Sequence, residues 1–179
     1  MKSKFFVWPA LLALCVIPNV AVSAEKTAAP VREIQDFDRG WSFLQGDNKG
    51  AEQIDYDDSD WRKVNVPHDW SIEGPFAETN KTGGAGGFLP SGVGWYRKYF
   101  ALPVTSDRQH VYIEFDGVMA KSDVWINGYH LGRRPSGYVS FGYELTGHLA
   151  FGTKTNVLAV RADEHQRRRP FQVTRKEHE

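Results

Sequence analysis

His68 and Asp69 stand side by side in this 179-residue chain, and their side chains are of the types that carry chemistry. An imidazole beside a carboxylate could act in acid–base catalysis or bind a metal ion. Neighbouring residues of an extended chain point to opposite faces, however, and this favours a structural corner with Trp70 packed below it. Both interpretations remain open at this point, and the structural one is favoured.

The remaining histidines and the single cysteine form no metal-ligand pattern. Cys15 lies in an N-terminal segment that we expect to be removed, so the mature chain has no cysteine for a metal site or an internal disulfide. We therefore expect no metal. The histidines without ligand spacing are His110, His130, His148, His165 and His178.

A glycine-rich run at residues 82–87 and the charge balance argue against two further classes of ligand. The run lacks the Gly-Lys-Ser/Thr ending of a phosphate loop and opens no helix, so we expect neither a nucleotide nor another cofactor. Because glycines carry no side chain, the run could instead approach a partner closely. The 22 basic and 22 acidic residues give no electrostatic reason to expect nucleic acid or an acidic membrane as a partner.

Apolar residues alternate with polar ones in several short segments, which predicts strands rather than long helices. Asn127-Gly128 predicts a tight hairpin turn with positive φ. Asp57-Asp58-Ser59 is expected to cap one helical turn that ends at Trp61. The spacing predicts an all-β, two-sheet sandwich or jelly roll. The predicted strands lie at residues 41–44, 64–66, 95–100, 110–115, 123–127, 129–131, 141–145 and 156–161.

Residues 1–24 have the pattern of a secretory signal peptide, with Lys2 and Lys4 before an apolar run and small residues at 22–24. An N-terminal membrane anchor is the alternative, but two prolines interrupt the run. A lipoprotein with Cys15 as acceptor fits less well, because bulky Leu14 precedes it. We expect a secreted or periplasmic protein without membrane contact after cleavage, beginning with a flexible lead-in at residues 25–35.

Five ordered segments together resemble the N-terminal sugar-binding domain of family 2 glycoside hydrolases, the β-galactosidase, β-glucuronidase and β-mannosidase group. The resemblance covers residues 36–163 and implies a galactose-binding-like jelly-roll β-sandwich. The second segment and the glycine-rich run look closest to β-galactosidase-type members. The segments are 57–61 (Asp-Asp-Ser-Asp-Trp), 66–70 (Val-Pro-His-Asp-Trp), 94–98 (Gly-Trp-Tyr-Arg-Lys), 115–118 (Phe-Asp-Gly-Val) and 124–128 (Val-Trp-Ile-Asn-Gly).

The family's catalytic barrel is not matched by any segment of this sequence. The resemblance implies that an immunoglobulin-like domain and a (β/α)₈ barrel with two catalytic Glu residues complete the enzyme, and the barrel alone takes about 250 residues. We therefore expect no catalytic residue here and no hydrolysis by this chain alone. From Glu164 the sequence departs from the family, so residues 164–179 are predicted to be a disordered tail of a frameshifted or truncated product.

The resemblance also suggests where this domain could meet substrate and partner domains. In β-galactosidases the stretch before Gly94 reaches toward the barrel's substrate pocket, which places Ser91 at a sugar hydroxyl. Residues 68–70 (His68, Asp69 and Trp70) lie in a segment close to the junction with the barrel. Trp125 and Tyr129 could stack on a sugar ring, although burial in the core or against another domain is favoured for both.

The expected function is therefore that of a sugar-binding or accessory domain of a secreted β-galactosidase-like enzyme that hydrolyses terminal β-glycosides. Its expected partners are a β-galactoside-type carbohydrate and the missing immunoglobulin-like and barrel domains. Three alternatives stay open: a free-standing carbohydrate-binding module, a fragment of a β-glucuronidase or β-mannosidase, and a structural remnant that needs the missing domains to stay soluble.

Overall fold

The computed structural model describes residues 32–164, and the predicted signal peptide and nearly all of the predicted tail lie outside this range. Residues 32–35 belong to a separate N-terminal unit and contain no regular secondary structure. The second unit begins at Asp36 and contains all the strands of the described range. Within the described range there is no helix long and apolar enough to cross a membrane.

Eight strands and four short 3-10 turns make up this unit, which confirms the predicted all-β fold. A six-stranded antiparallel sheet has the order β2-β1-β3-β8-β5-β6, and a second sheet consists of β4 and β7. The strands are β1 (Trp41–Gln45), β2 (Arg62–Val64), β3 (Val93–Phe100), β4 (Tyr112–Phe115), β5 (Lys121–Ile126), β6 (Tyr129–Arg134), β7 (Phe141–Glu144) and β8 (Asn156–Asp163). The 3-10 turns are Trp70–Glu73, Gly84–Gly86, Val104–Arg108 and Thr146–His148.

The hairpin between β5 and β6 turns where the sequence predicts it. Asn127 and Gly128 have φ values of 50° and 82°, the left-handed conformation that a two-residue hairpin turn requires. The predicted helical turn before Trp61 is absent: Asp57 accepts a hydrogen bond from the Ser59 amide at 3.0 Å, and the chain makes a turn without a helix. An Asp side chain bonded to the backbone two residues on forms such a turn without any helix.

The main core lies between the two sheets. Alternate residues of the six-stranded sheet point inward, including Phe43 on β1, Val124 and Ile126 on β5 and Leu158 on β8. Apolar residues of β4 and β7 pack against them from the other side. Burial of these side chains is the main force that holds the sheets together, because each large aliphatic side chain contributes about 1.5–3 kcal/mol.

A second cluster covers the outer face of the six-stranded sheet. Trp95 on β3 is buried there with Ala159 on β8, and the loop before β2 contributes Ala51 and Trp61. This loop shields the sheet from solvent on the side opposite to β4 and β7. The six-stranded sheet is therefore covered on both faces, although unequally, because two strands cannot span the inner face of six.

Candidate functional site

The uncovered part of the inner face forms a half-open cleft of about 850 Å³. Its floor consists of inward-facing core residues of β1, β3 and β8. One wall is built by the loops around residues 66–71 and 89–91, and the other by β4 and the loop at 116–120. Floor residues include Trp41, Tyr96, Val160 and Ala162, so the cleft opens directly onto the apolar core.

All charged side chains that line this cleft within the described range are carboxylates. No Lys or Arg from that range contributes to the lining. Four of the acidic residues are exposed at the rim, and Glu164 is half-buried. The acidic residues are Asp38, Asp69, Glu114, Asp116 and Glu164.

His68 forms a buried corner between three polar partners. Its side chain is 8% exposed, and its ring packs against Phe43 with centroids 4.8 Å apart. Nε2 lies 2.9 Å from the Arg62 guanidinium and 3.3 Å from Glu73 Oε1, and Nδ1 lies 2.9 Å from Tyr96 Oη. His68 therefore ties the β1–β3 core to the loop after β2.

The Asp69 carboxylate turns away from the imidazole and caps the 3-10 turn Trp70–Glu73. It accepts hydrogen bonds from the Ser71 amide at 3.0 Å and from the Ser71 hydroxyl at 2.6 Å. No hydrogen bond joins Asp69 to the His68 ring. The two side chains are thus not paired in the geometry of a catalytic dyad, and no group of three potential metal ligands is found among the described residues.

Trp70 is buried against the bare backbone of Gly94. A Cβ on that glycine would lie 3.0 Å from Trp70 Nε1 and 2.9 Å from Phe43 Cε2. The glycine of the Gly-Trp-Tyr-Arg segment is thus required for close approach rather than for an unusual φ. Trp70 and His68 together anchor one wall of the cleft. Their proposed role at a domain interface remains a prediction.

Glu164 completes the acidic side of the cleft. Its amide donates to the Gly92 carbonyl at 2.8 Å, which extends the β3–β8 pairing by one step. Burial, together with the nearby Asp69 charge, raises the pKa of the Glu164 carboxyl to about 7. Burial also raises the pKa of the Tyr96 hydroxyl, and the charges of Glu164 and Asp69 add to this effect. The carboxylates of Asp69 and Glu164 therefore make this part of the cleft electronegative.

Ser91 lies in the same cleft as residues 68–70, whereas the two predicted sugar-stacking residues do not. Trp125 projects from the outer face of the six-stranded sheet. Its ring lies 5.2 Å from Trp95 and 5.0 Å from His130, between neighbours on both sides. These contacts favour a packing role and leave little ring surface for a ligand.

Tyr129 pairs with Ile126 across the hairpin and thus faces away from the Trp125 side of the sheet. The ring stacks on His148 with centroids 3.7 Å apart and is 55% exposed. Ser91, Trp125 and Tyr129 therefore occupy three separate places. Their predicted contact with substrate remains untested.

Sequence reasoning overlooked two residues of the cleft, Tyr96 and Glu164. Tyr96 stands within the recognised Gly-Trp-Tyr-Arg segment, and the inward phase of its strand could have assigned it to the floor. Glu164 was assigned to the unrelated tail. Its position follows from the Val93–Asp163 register of β3 and β8, which no local pattern in the sequence displays.

Comparison with known proteins identifies the domain. Residues 93–158 match the family model described as "Beta-galactosidase, galactose-binding domain". The chain is 48% identical over 143 residues to the β-galactosidase BoGH2A of Bacteroides ovatus, covering 80% of this chain and 17% of that protein. It is 43% identical over 128 residues to a putative β-glucuronidase of Formosa agariphila, covering 72% of this chain and 12% of that protein.

Similarity to solved structures supports the same family. A β-glycosidase from Bacteroides vulgatus is 50% identical and superposes with a TM-score of 0.68, over 71% of this chain and 16% of that one. A family 2 member from Bacteroides cellulosilyticus is 38% identical with a TM-score of 0.70, over 73% of this chain and 17% of that one. The chain spans less than a fifth of the length of these relatives. It belongs to the family 2 glycoside hydrolases and corresponds to their N-terminal sugar-binding domain.

Proposed function

We propose that this chain serves as the accessory domain of a secreted β-galactosidase-like enzyme and has no hydrolytic activity by itself. The observation that carries the proposal is the 48% identity to a β-galactosidase of which the chain covers 17%. A β-galactoside-type carbohydrate is the proposed substrate of the intact enzyme. The proposed partners of this domain are an immunoglobulin-like domain and a catalytic barrel.

The geometry of the cleft supports the absence of catalysis. Retaining hydrolysis requires a carboxylate nucleophile beside a protonated acid, about 5 Å apart. Glu164 has the raised pKa of an acid, but Asp69 is engaged by two hydrogen bonds from Ser71 as the cap of a turn. Both hydrogen bonds reach Oδ1 and hold the carboxylate as part of the turn.

A domain exchange tests the proposal directly. Residues 36–164 of this chain replace the corresponding domain in the Bacteroides ovatus β-galactosidase, and p-nitrophenyl β-galactoside hydrolysis is measured. We expect the exchanged enzyme to be active, the enzyme without the domain to be inactive, and this chain alone to release no nitrophenol. Hydrolysis by the purified chain, or a folded but inactive exchange, contradicts the proposal.

A free-standing carbohydrate-binding module is the second candidate, favoured by the aromatic cleft and by the name of the matching family model. Calorimetric titration with galactose and lactose separates the two. Millimolar or tighter binding by the isolated chain supports the module, whereas the accessory-domain proposal expects no heat of binding.

A further inference from the structure

The cleft combines an aromatic floor with an exposed apolar rim. Trp41 and Tyr96 lie at its base, while Met119 and Tyr138 at the rim are 41% and 85% exposed. Apolar surface of this kind, continuous with a core and bordered by polar groups, marks an interaction site. A partner that covers it would gain the free energy of burying aromatic surface.

The charge of the cleft restricts what that partner is. The lining contributes five carboxylates and, within the described range, no Lys or Arg; its one imidazole, His68, is held by Arg62 and Tyr96. The basic groups nearby are engaged elsewhere: Arg62 binds Glu73 and His68, and Lys98 donates to the Arg39 carbonyl. An anionic partner would be repelled, and a cationic side chain is the electrostatic complement.

The half-buried position of Glu164 sharpens this argument. Its carboxyl makes no hydrogen bond or ion pair with another described residue, and it lies within the field of Asp69. A guanidinium or ammonium placed between the two carboxylates would relieve their repulsion and supply donors to both. Neutral sugars supply donors but no compensating charge.

We propose that the cleft is the docking groove for a segment of the longer enzyme's polypeptide that carries an Arg or Lys between apolar side chains. The proposal rests on the accessory-domain function, because the chain covers 17% of its β-galactosidase relative and the remainder of such an enzyme supplies the segment. The basic side chain enters between Asp69 and Glu164, and its apolar neighbours cover the aromatic floor.

Peptide titration of the full chain, followed by nuclear magnetic resonance, tests the proposal. The probes are acetyl-Ala-Phe-Arg-Leu-amide and two matched peptides with citrulline or Glu in place of Arg. Only the Arg peptide is expected to shift the indole N–H signals of Trp41 and Trp70, with Trp125 on the outer face as an internal reference. We expect a dissociation constant on the order of 1 mM, as for a small contact.

Paired variants assign the effect to the two carboxylates. Asp69→Asn with Glu164→Gln preserves both side-chain shapes and the turn cap. It should weaken binding of the Arg peptide at least about tenfold. Asp107→Asn with Glu78→Gln removes the same charge from exposed residues outside the cleft and should change nothing. Equal affinity for the Glu peptide, no shift at 10 mM peptide (about ten times the expected constant), or unaltered binding by the first variant overturns the proposal.

Two further experiments test whether a sugar or the chain's own C-terminal segment occupies the cleft instead. Displacement of the Arg peptide by lactose would make the cleft a sugar site and overturn the docking proposal. Arg167→Glu with Arg168→Glu and Arg169→Glu should leave peptide binding unchanged, and a gain in affinity would assign the cleft to the chain's own C-terminal segment. An active domain exchange whose Asp69→Asn/Glu164→Gln variant is equally active refutes the docking inference while leaving the proposed function intact.

Discussion

Arg97 and Asp58 form an ion pair enclosed beneath the loop that covers the outer face of the six-stranded sheet. Arg97 Nε lies 3.2 Å from Asp58 Oδ2, and the two side chains are 0% and 9% exposed. The same guanidinium donates to the carbonyl oxygens of Ala51 at 2.5 Å and Gln53 at 2.8 Å. Tyr99 Oη closes the network with a 2.7 Å hydrogen bond to Asp58. One side chain thus fastens the whole covering loop to β3.

Arg97→Met should therefore cost about 3–5 kcal/mol of unfolding free energy, because it leaves the Asp58 charge buried without its partner. Urea unfolding followed by tryptophan fluorescence measures the change. Arg133→Met is the matched control: the Arg133 side chain is 56% exposed and lies 3.8 Å from Asp123, so its loss should cost less than about 1 kcal/mol. Similar losses for the two variants would show that the buried network is not stabilising.

The strands and the hairpin were predictable because their signals are local. Period-two alternation around Val124 and Ile126 requires only the sequence of one strand, and Asn127-Gly128 specifies its own turn. The partner of Asp58 was not predictable, because Arg97 lies 39 residues away. Locally, Asp57-Asp58-Ser59 looks like a helix cap, and only the folded sheet turns Asp58 toward β3.

Some residues of the candidate site were likewise visible in local sequence patterns, whereas others are brought to the site only by folding. The segments that carry His68 and Ser91 were singled out separately, but only strand pairing brings their loops to one cleft. Glu164 was missed because it follows β8 and reaches the cleft through pairing with β3, some 70 residues earlier in the chain. Trp125 and Tyr129 are close in sequence but lie on opposite faces, since the hairpin turn intervenes.

Gly94→Ala should destabilise the domain by about 1–3 kcal/mol, because the new methyl group would collide with the buried rings of Phe43 and Trp70. Gly147→Ala makes the same chemical change where nothing lies within 4 Å of the added Cβ. Thermal unfolding of both variants measures the difference. If Gly94→Ala has the same melting temperature as the wild type, the packing around Trp70 is looser than the contacts imply.

Asn127→Gly separates two roles of the hairpin residue. Glycine keeps the positive φ, but it removes hydrogen bonds of 2.8 Å to the His148 carbonyl, to Asn156 Oδ1 and from the Val157 amide. At about 0.5–1.5 kcal/mol each, we expect a loss of roughly 2–3 kcal/mol. Asn48→Gly, which removes one hydrogen bond of 3.2 Å, should cost about 1 kcal/mol or less. Equal losses would mean that Asn127 acts through the turn alone.

Glu164→Gln should make the stability of the domain less dependent on pH. The folded-state pKa of about 7 lies above the ordinary value of 4.5, so the folded chain retains a proton that the unfolded chain releases. The contribution of Glu164 is therefore fully present below about pH 4.5 and is lost as the pH rises through 7.

Melting temperatures at pH 5 and pH 8 should thus show a larger fall for the wild type than for Glu164→Gln. Because the carboxyl is partly exposed and screened by solvent, we expect the variant to be more stable at pH 8 by about 1 kcal/mol. Glu78→Gln, at an exposed residue outside the cleft, should follow the wild type at both pH values. A wild-type chain that is more stable at pH 8 than Glu164→Gln would mean that the carboxylate is already paired with a cation. In that case the negative charges of Asp69 and Glu164 are already compensated within this chain. The cleft would then have no electrostatic preference for a basic segment from another domain.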